Sequence, residues 1–176
     1  MSTFLQLLMI TIPAVLVFIA TYFILNKFLK RDYEEKWLKI QRERGEKWEN
    51  AQLSAAERMV LFCERIYPDN LLTRLSPSGK KAKIFHLELL LAIQQEFDHN
   101  LTQQIYLSNS LWKIINLAKQ EIIEIISIAA EKVDKDADAI NLAHTIQGLY
   151  SQLEKSAVPV AINAIKKEMN ELFNSK

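Results

Sequence analysis

From Phe4 to Leu25 the chain carries no charged side chain, and only Gln6, Thr11, Pro13 and Thr21 interrupt an otherwise apolar or aromatic run of 22 residues. As a helix it extends about 33 Å at ~1.5 Å per residue, enough to cross a hydrocarbon layer of about 30 Å. Fourteen of its residues are Leu, Ile, Val or Phe. Each favours insertion by roughly 0.3–0.6 kcal/mol near the bilayer centre, and no ionised group subtracts its roughly 3 kcal/mol. Pro13 removes one backbone donor, which a lipid-buried helix tolerates. Length and the abrupt charge boundary argue against a buried core helix. Met1, Ser2 and Thr3 supply no basic residue and no A-x-A pattern follows, so the run is expected to be an uncleaved anchor rather than a signal peptide.

Lys27, Lys30, Arg31, Lys36, Lys39, Arg42 and Arg44 lie just beyond the run. The positive-inside rule then places the N-terminus outside and the chain from about Asn26 onward in the cytoplasm. The expected organisation is a short external tail at 1–3, a transmembrane helix at 4–26 in contact with lipid, a juxtamembrane helix at 27–50, and a cytoplasmic helical bundle at 54–176. The lone Cys63, in an apolar context, excludes an intramolecular disulfide and suits a reducing compartment. A formal charge of +1 gives no basic excess for nucleic acid.

Beyond the run the fold class is all-α. Glycine occurs three times, and no stretch alternates apolar and polar residues long enough for a strand. The juxtamembrane stretch should be helical, supported by i, i+4 pairs of Asp32 with Lys36 and Glu35 with Lys39. Its narrow stripe of Tyr33, Trp37, Ile40 and Trp48 is expected to seat against the rest of the domain in preference to a coiled-coil contact with a second copy, because no heptad is sustained. Ser54 and Glu57 fit a capping box opening a helix that Pro68 ends. YPDNLLTRLSPSG reads as a loop or broken turn. Helices are expected from about Lys80, from Ser108 to about Val133, after the DKDADA turn, and after Pro159, about five in all. Asp136 or Asp138 should cap the helix after that turn. The expected faces are Ile140, Ala143, Ile146, Tyr150 and Leu153 on one helix, and Ile162, Ile165, Met169 and Leu172 on the last.

The stretch EFDHNLTQQIY at 96–106 gathers the most polar chemistry. Helical spacing puts Leu90, Ile93, Phe97 and Leu101 on one face and Glu96, His99 and Gln103 on the other. Glu96-x-x-His99 has the i, i+3 spacing of carboxylate-bridged metal bundles, but a second such pair is missing. Glu96 and His99 are thus the nearest approach to a metal site, with Glu121 and Glu124 as further oxygens, and no metal or cofactor is assigned. Asp134, Asp136 and Asp138 mimic the start of a calcium loop, yet Ala139 and Thr145 stand where glycine and glutamate are needed. SPSGKKAK lacks the spaced glycine and the hydroxyl of a phosphate loop, and no nucleophile-elbow serine occurs. Asn100 and Gln104 flank the apolar stripe, where amides can bond free carbonyls at a helix end as a structural polar network. Glu96, His99, Gln103, Tyr106 and Trp112 are the candidate partner-binding residues, and no catalytic residue is assigned.

ERMVLFCERIYPDNLLTRL followed by QEFDHNLTQQIYLSNSLW resembles an uncharacterised family of small bacterial proteins with one N-terminal membrane span and a helical cytoplasmic domain. The similarity covers about residues 53 to 133 and is most specific from Glu96 through Trp112. The resemblance implies a bacterial inner-membrane location. It also implies that Glu64, Arg65, Pro68, Arg74, Glu96, His99, Asn100, Gln103, Gln104, Tyr106 and Trp112 match the family's pattern, without assigning them an activity. The functional expectation is a membrane-anchored cytoplasmic binding or scaffolding module. The alternatives are a structural subunit of a multi-protein membrane complex, or a metal-binding helical-bundle enzyme or sensor. The protein partner is not assigned by the sequence, and a homo-oligomer or a larger membrane complex is compatible with it.

Overall fold

A computed structural model of the chain describes residues 3–174, with side chains described for residue 12 and for 15–174. All elements among the described residues are helical. They are α1 (Thr3–Ile66), α2 (Pro68–Leu75), α3 (Ala82–Asn100), a 3-10 turn (Leu101–Ile105), α4 (Asn109–Lys132), α5 (Ala139–Ser151) and α6 (Ala157–Asn174). The chain divides into two units, Met1–Glu49 and Asn50–Lys176.

In the first unit, among the described residues, no helix is long and apolar enough to cross a membrane. The expected span falls in large part on Phe4 to Thr11, Pro13 and Ala14, whose side chains lie outside the described residues. Those that are described remain open to their surroundings: Phe18, Ile24 and Phe28 are each at least 70% exposed. The Thr21 hydroxyl donates to the Val17 carbonyl at 2.8 Å, which keeps this polar group satisfied within the helix. Lys36 pairs with Asp32 at 2.8 Å as expected, whereas Glu35 turns back to Arg31 at 3.2 Å rather than forward to Lys39. The Arg31 guanidinium, one turn upstream, takes the place expected for Lys39. Tyr33, Trp37 and Ile40 are exposed.

In the second unit, the end of α1 presents Ala55, Met59, Phe62 and Ile66, with Ala56 and Cys63 beside them, to a core that all six helices share. These positions recur every three to four residues, the spacing that keeps one helical face turned inward. The expected capping box is absent, because α1 passes through Ser54 and Glu57 without a break. Nothing from Glu49 to Leu53 interrupts a helix, so no free backbone amide arises there for a cap to satisfy. The stretch expected as a loop forms α2. Pro68 sits in its first turn, where a missing amide is harmless, and burial of Leu71 and Leu72 holds the turn in place.

Helix α4 runs through the middle of the unit and packs against α3, α5 and α6. Leu111, Ile115, Ala118, Ile122, Ile125, Ile126 and Ala129 are buried along it. Ser108 caps its start, accepting from the Leu111 amide at 3.1 Å. Asp138 caps α5, accepting from the Ile140 amide at 2.8 Å, while Asp136 pairs with Lys81 at 3.0 Å. The turn before α5 also bonds the turn before α3: Ala82 donates to the Ala137 carbonyl at 2.9 Å and Ala139 to the Lys80 carbonyl at 3.0 Å. The buried face of α5 is Ala139, Leu142, Ala143 and Ile146. Ile140 and Leu153, expected on it, are exposed. On α6 the buried residues are Val158, Ala161, Ile165 and Met169, with Ile162 and Leu172 half-buried.

Helix α6 begins on a carboxylate from α4. Glu121 accepts from the Ala157 amide at 2.9 and 3.0 Å and from the Ser156 hydroxyl at 2.8 Å. Ser156 accepts in turn from the Tyr150 hydroxyl at 2.8 Å. A negative charge there satisfies free amides and opposes the positive helix end. Glu121 therefore serves the fold rather than supplying oxygen to a metal.

Candidate functional site

The residues expected to form a wet face do not share one environment. Glu96, near the end of α3, has a side chain only 17% exposed and is held by two guanidiniums from α1 and α2. Arg65 Nη1 donates to both carboxylate oxygens at 2.8 and 2.9 Å, and Arg74 Nη1 to Oε1 at 3.4 Å. A cation at Glu96 would have to displace both. Among the described residues no group of three His, Cys, Asp or Glu side chains is placed to hold a metal ion. His99 is exposed in the last turn of the helix.

Asn100 is buried, and its Nδ2 donates to the Glu96 carbonyl at 2.8 Å, closing the end of α3. Gln104 lies exposed on the 3-10 turn and Gln103 is half-buried beside it. Leu101, expected on the apolar face, is 41% exposed. The cause is the change of helix type. A 3-10 turn advances by about 120° per residue instead of about 100°, so face assignments made with the α-helical period fail beyond Asn100. Tyr106 is half-buried, and its carbonyl accepts from Gln52 Nε2 on α1 at 3.3 Å. Trp112 stacks on Phe97 at 5.5 Å, and Phe97 in turn meets Phe62 at 5.7 Å. The Lys119 ammonium stands 3.7 Å from the Phe97 ring centroid. Glu96 thus ties α3 to α1 and α2, and Trp112 ties α4 to α3 through Phe97.

The open chemistry lies further back on α3. The inner face of this helix buries Phe85, Leu89, Ala92, Ile93 and Phe97. Its outer face carries Ile84, Leu87 and Leu91, which are 53%, 52% and 59% exposed. They follow an i, i+3, i+7 spacing and so form one stripe. Sequence reasoning passed over them, although KIFHLELLLAI shows the signal: it is apolar on more than one face, as a helix covered on two sides would be.

Beside this stripe, between α3 and α4, is a hollow of about 340 Å³ lined by Ala82, Lys83, His86, Leu87, Ser127, Ala130, Glu131, Val133 and Lys135. His86 Nε2 is cut off from solvent and has no hydrogen-bond partner among the described residues. Desolvation by burial pushes the His86 pKa below its ordinary value, which favours the neutral imidazole. The Ser127 hydroxyl is committed to the Ile123 carbonyl at 2.8 Å.

A family model described as a family of unknown function (DUF7935) matches residues 2–172, a wider stretch than the segments that carry the resemblance. No curated protein and no solved structure matches the chain.

Proposed function

The chain belongs to the DUF7935 family of unknown function, and from that premise we propose that it is a membrane-anchored helical binding or scaffolding module. In this reading Phe4–Leu25 lies in a bilayer with the N-terminus outside, and the unit Asn50–Lys176 stands on the cytoplasmic side, where it binds a partner protein. Confinement to the membrane raises the effective concentration of the module toward other membrane-bound proteins. The uncharged run and the cations that follow it support the anchor.

The observation that carries the binding role is the stripe of Ile84, Leu87 and Leu91 on α3. The opposite face of α3 packs into the core, whereas these three large aliphatic side chains are outside it among the described residues, and apolar surface grouped in this way marks contact sites. A photo-crosslinking residue at position 87 of the full chain in cells tests it. A discrete adduct that disappears when Ile84 and Leu91 are replaced by Gln supports the role. A label that is diffuse, or indifferent to the replacements, refutes it.

A structural subunit of a larger membrane assembly is the second reading, favoured by the exposure of Tyr33, Trp37 and Ile40 in the first unit. Replacing Tyr33 and Trp37 by Gln would then reduce the size of the detergent-extracted complex, whereas the α3 replacements would not.

A further inference from the structure

We propose that the hollow between α3 and α4 binds a small organic acid bearing a hydroxyl group, the hydroxyl meeting His86 Nε2 and the carboxylate met by the Lys83 and Lys135 ammonium groups. The volume of about 340 Å³ lies at the lower end of the roughly 300–1,000 Å³ typical of small-molecule sites. Ala82, Leu87, Ala130 and Val133 give it apolar walls suited to a flat hydrocarbon or aromatic body.

The polar groups on the lining select the rest of the ligand. Ser127 is spent on the Ile123 carbonyl, and the Lys135 carbonyl accepts from the Lys83 amide at 3.0 Å. His86 Nε2 has no protein partner. A neutral imidazole offers one donor nitrogen and one acceptor nitrogen, and a hydroxyl complements either, since it donates and accepts. The ring itself lines the hollow while Nε2 is covered, so contact with a bound group requires the ring to turn about χ2, which is broad for histidine. Leaving such an atom buried and unsatisfied is costly, and a ligand hydroxyl would offset that cost.

Charge decides the other end. Lys83 and Lys135 line the hollow and make no ion pair among the described residues, against the single carboxylate of Glu131 on the same lining. The balance favours a monoanion.

The test uses the full chain in detergent micelles with 4-hydroxyphenylacetate and, as the matched control, phenylacetate, which lacks only the hydroxyl. The ring resonances of three histidines are followed by NMR, and that of His86 is identified by its loss in His86→Leu. The expected result is a saturable shift of the His86 resonance with 4-hydroxyphenylacetate and roughly two- to tenfold weaker binding of phenylacetate, the size of one neutral hydrogen bond. Ligand-observed saturation transfer on His86→Leu should show that this preference has vanished. In Lys83→Gln with Lys135→Gln, both acids should weaken together. No saturable shift up to about 10 mM, or equal affinity for the two acids, overturns the proposal.

Discussion

Arg65 on α1 grips Glu96 on α3 through a single guanidinium nitrogen that lies 2.8 and 2.9 Å from the two carboxylate oxygens. With Arg74 on the same carboxylate, three helices meet at one largely covered charge. Glu96→Ala leaves two cations facing each other and is expected to cost about 1–3 kcal/mol. Arg65→Met keeps the Arg74 contact and should cost less. A double-mutant cycle followed by chemical denaturation checks both, with a coupling energy of about 1 kcal/mol expected for the pair.

Glu121→Gln keeps the shape of the α6 cap and removes its charge, and Glu121→Ala removes both. The expected losses are about 0.5 and 1–2 kcal/mol. Hydrogen exchange gives the more specific readout: the Ala157 and Val158 amides should lose protection while those in the middle of α4 keep it.

Burial pushes the Cys63 thiol up from its ordinary 9.0 to about 12. The thiol should therefore resist maleimide at pH 8 in the native chain and react at once in denaturant. The unfolded thiol ionises near 9 and the folded one near 12, so folding keeps a proton that the unfolded chain loses. Its contribution to stability is complete below pH 9 and falls as pH rises toward 12. Cys63→Ala should show a shallower decline over that window.

Leu87→Gln and Leu91→Gln remove exposed apolar surface without touching the core. Each should leave stability within about 0.5 kcal/mol, in contrast to a loss of about 2–5 kcal/mol for Leu89→Ala on the buried face. Thermal unfolding of the three variants side by side measures the difference.

Features that depend on local spacing were legible in the sequence. The extent of α4, expected from Ser108 to about Val133 and observed at Asn109–Lys132, and the cap of α5, expected from Asp136 or Asp138 and made by Asp138, involve residues close in the chain, so composition and spacing suffice. Helix α2 was not legible, because Pro68, Asp69 and Asn70 suit a turn equally well and only tertiary burial of Leu71 and Leu72 decides between them. Ser54 and Glu57 misled for the reverse reason: the motif is intact but no helix begins there. The partners of Glu96 stand 31 and 22 residues away, beyond the reach of any spacing argument. His86 looked unremarkable because its isolation is created by α4 residues more than 40 positions later.

The measurement that bears most directly on the proposed anchoring is alkaline carbonate extraction of native membranes containing the full chain, followed by flotation. The account predicts that the chain floats with the lipid, retained by Phe4–Leu25. Recovery of the intact chain in the soluble fraction would contradict it.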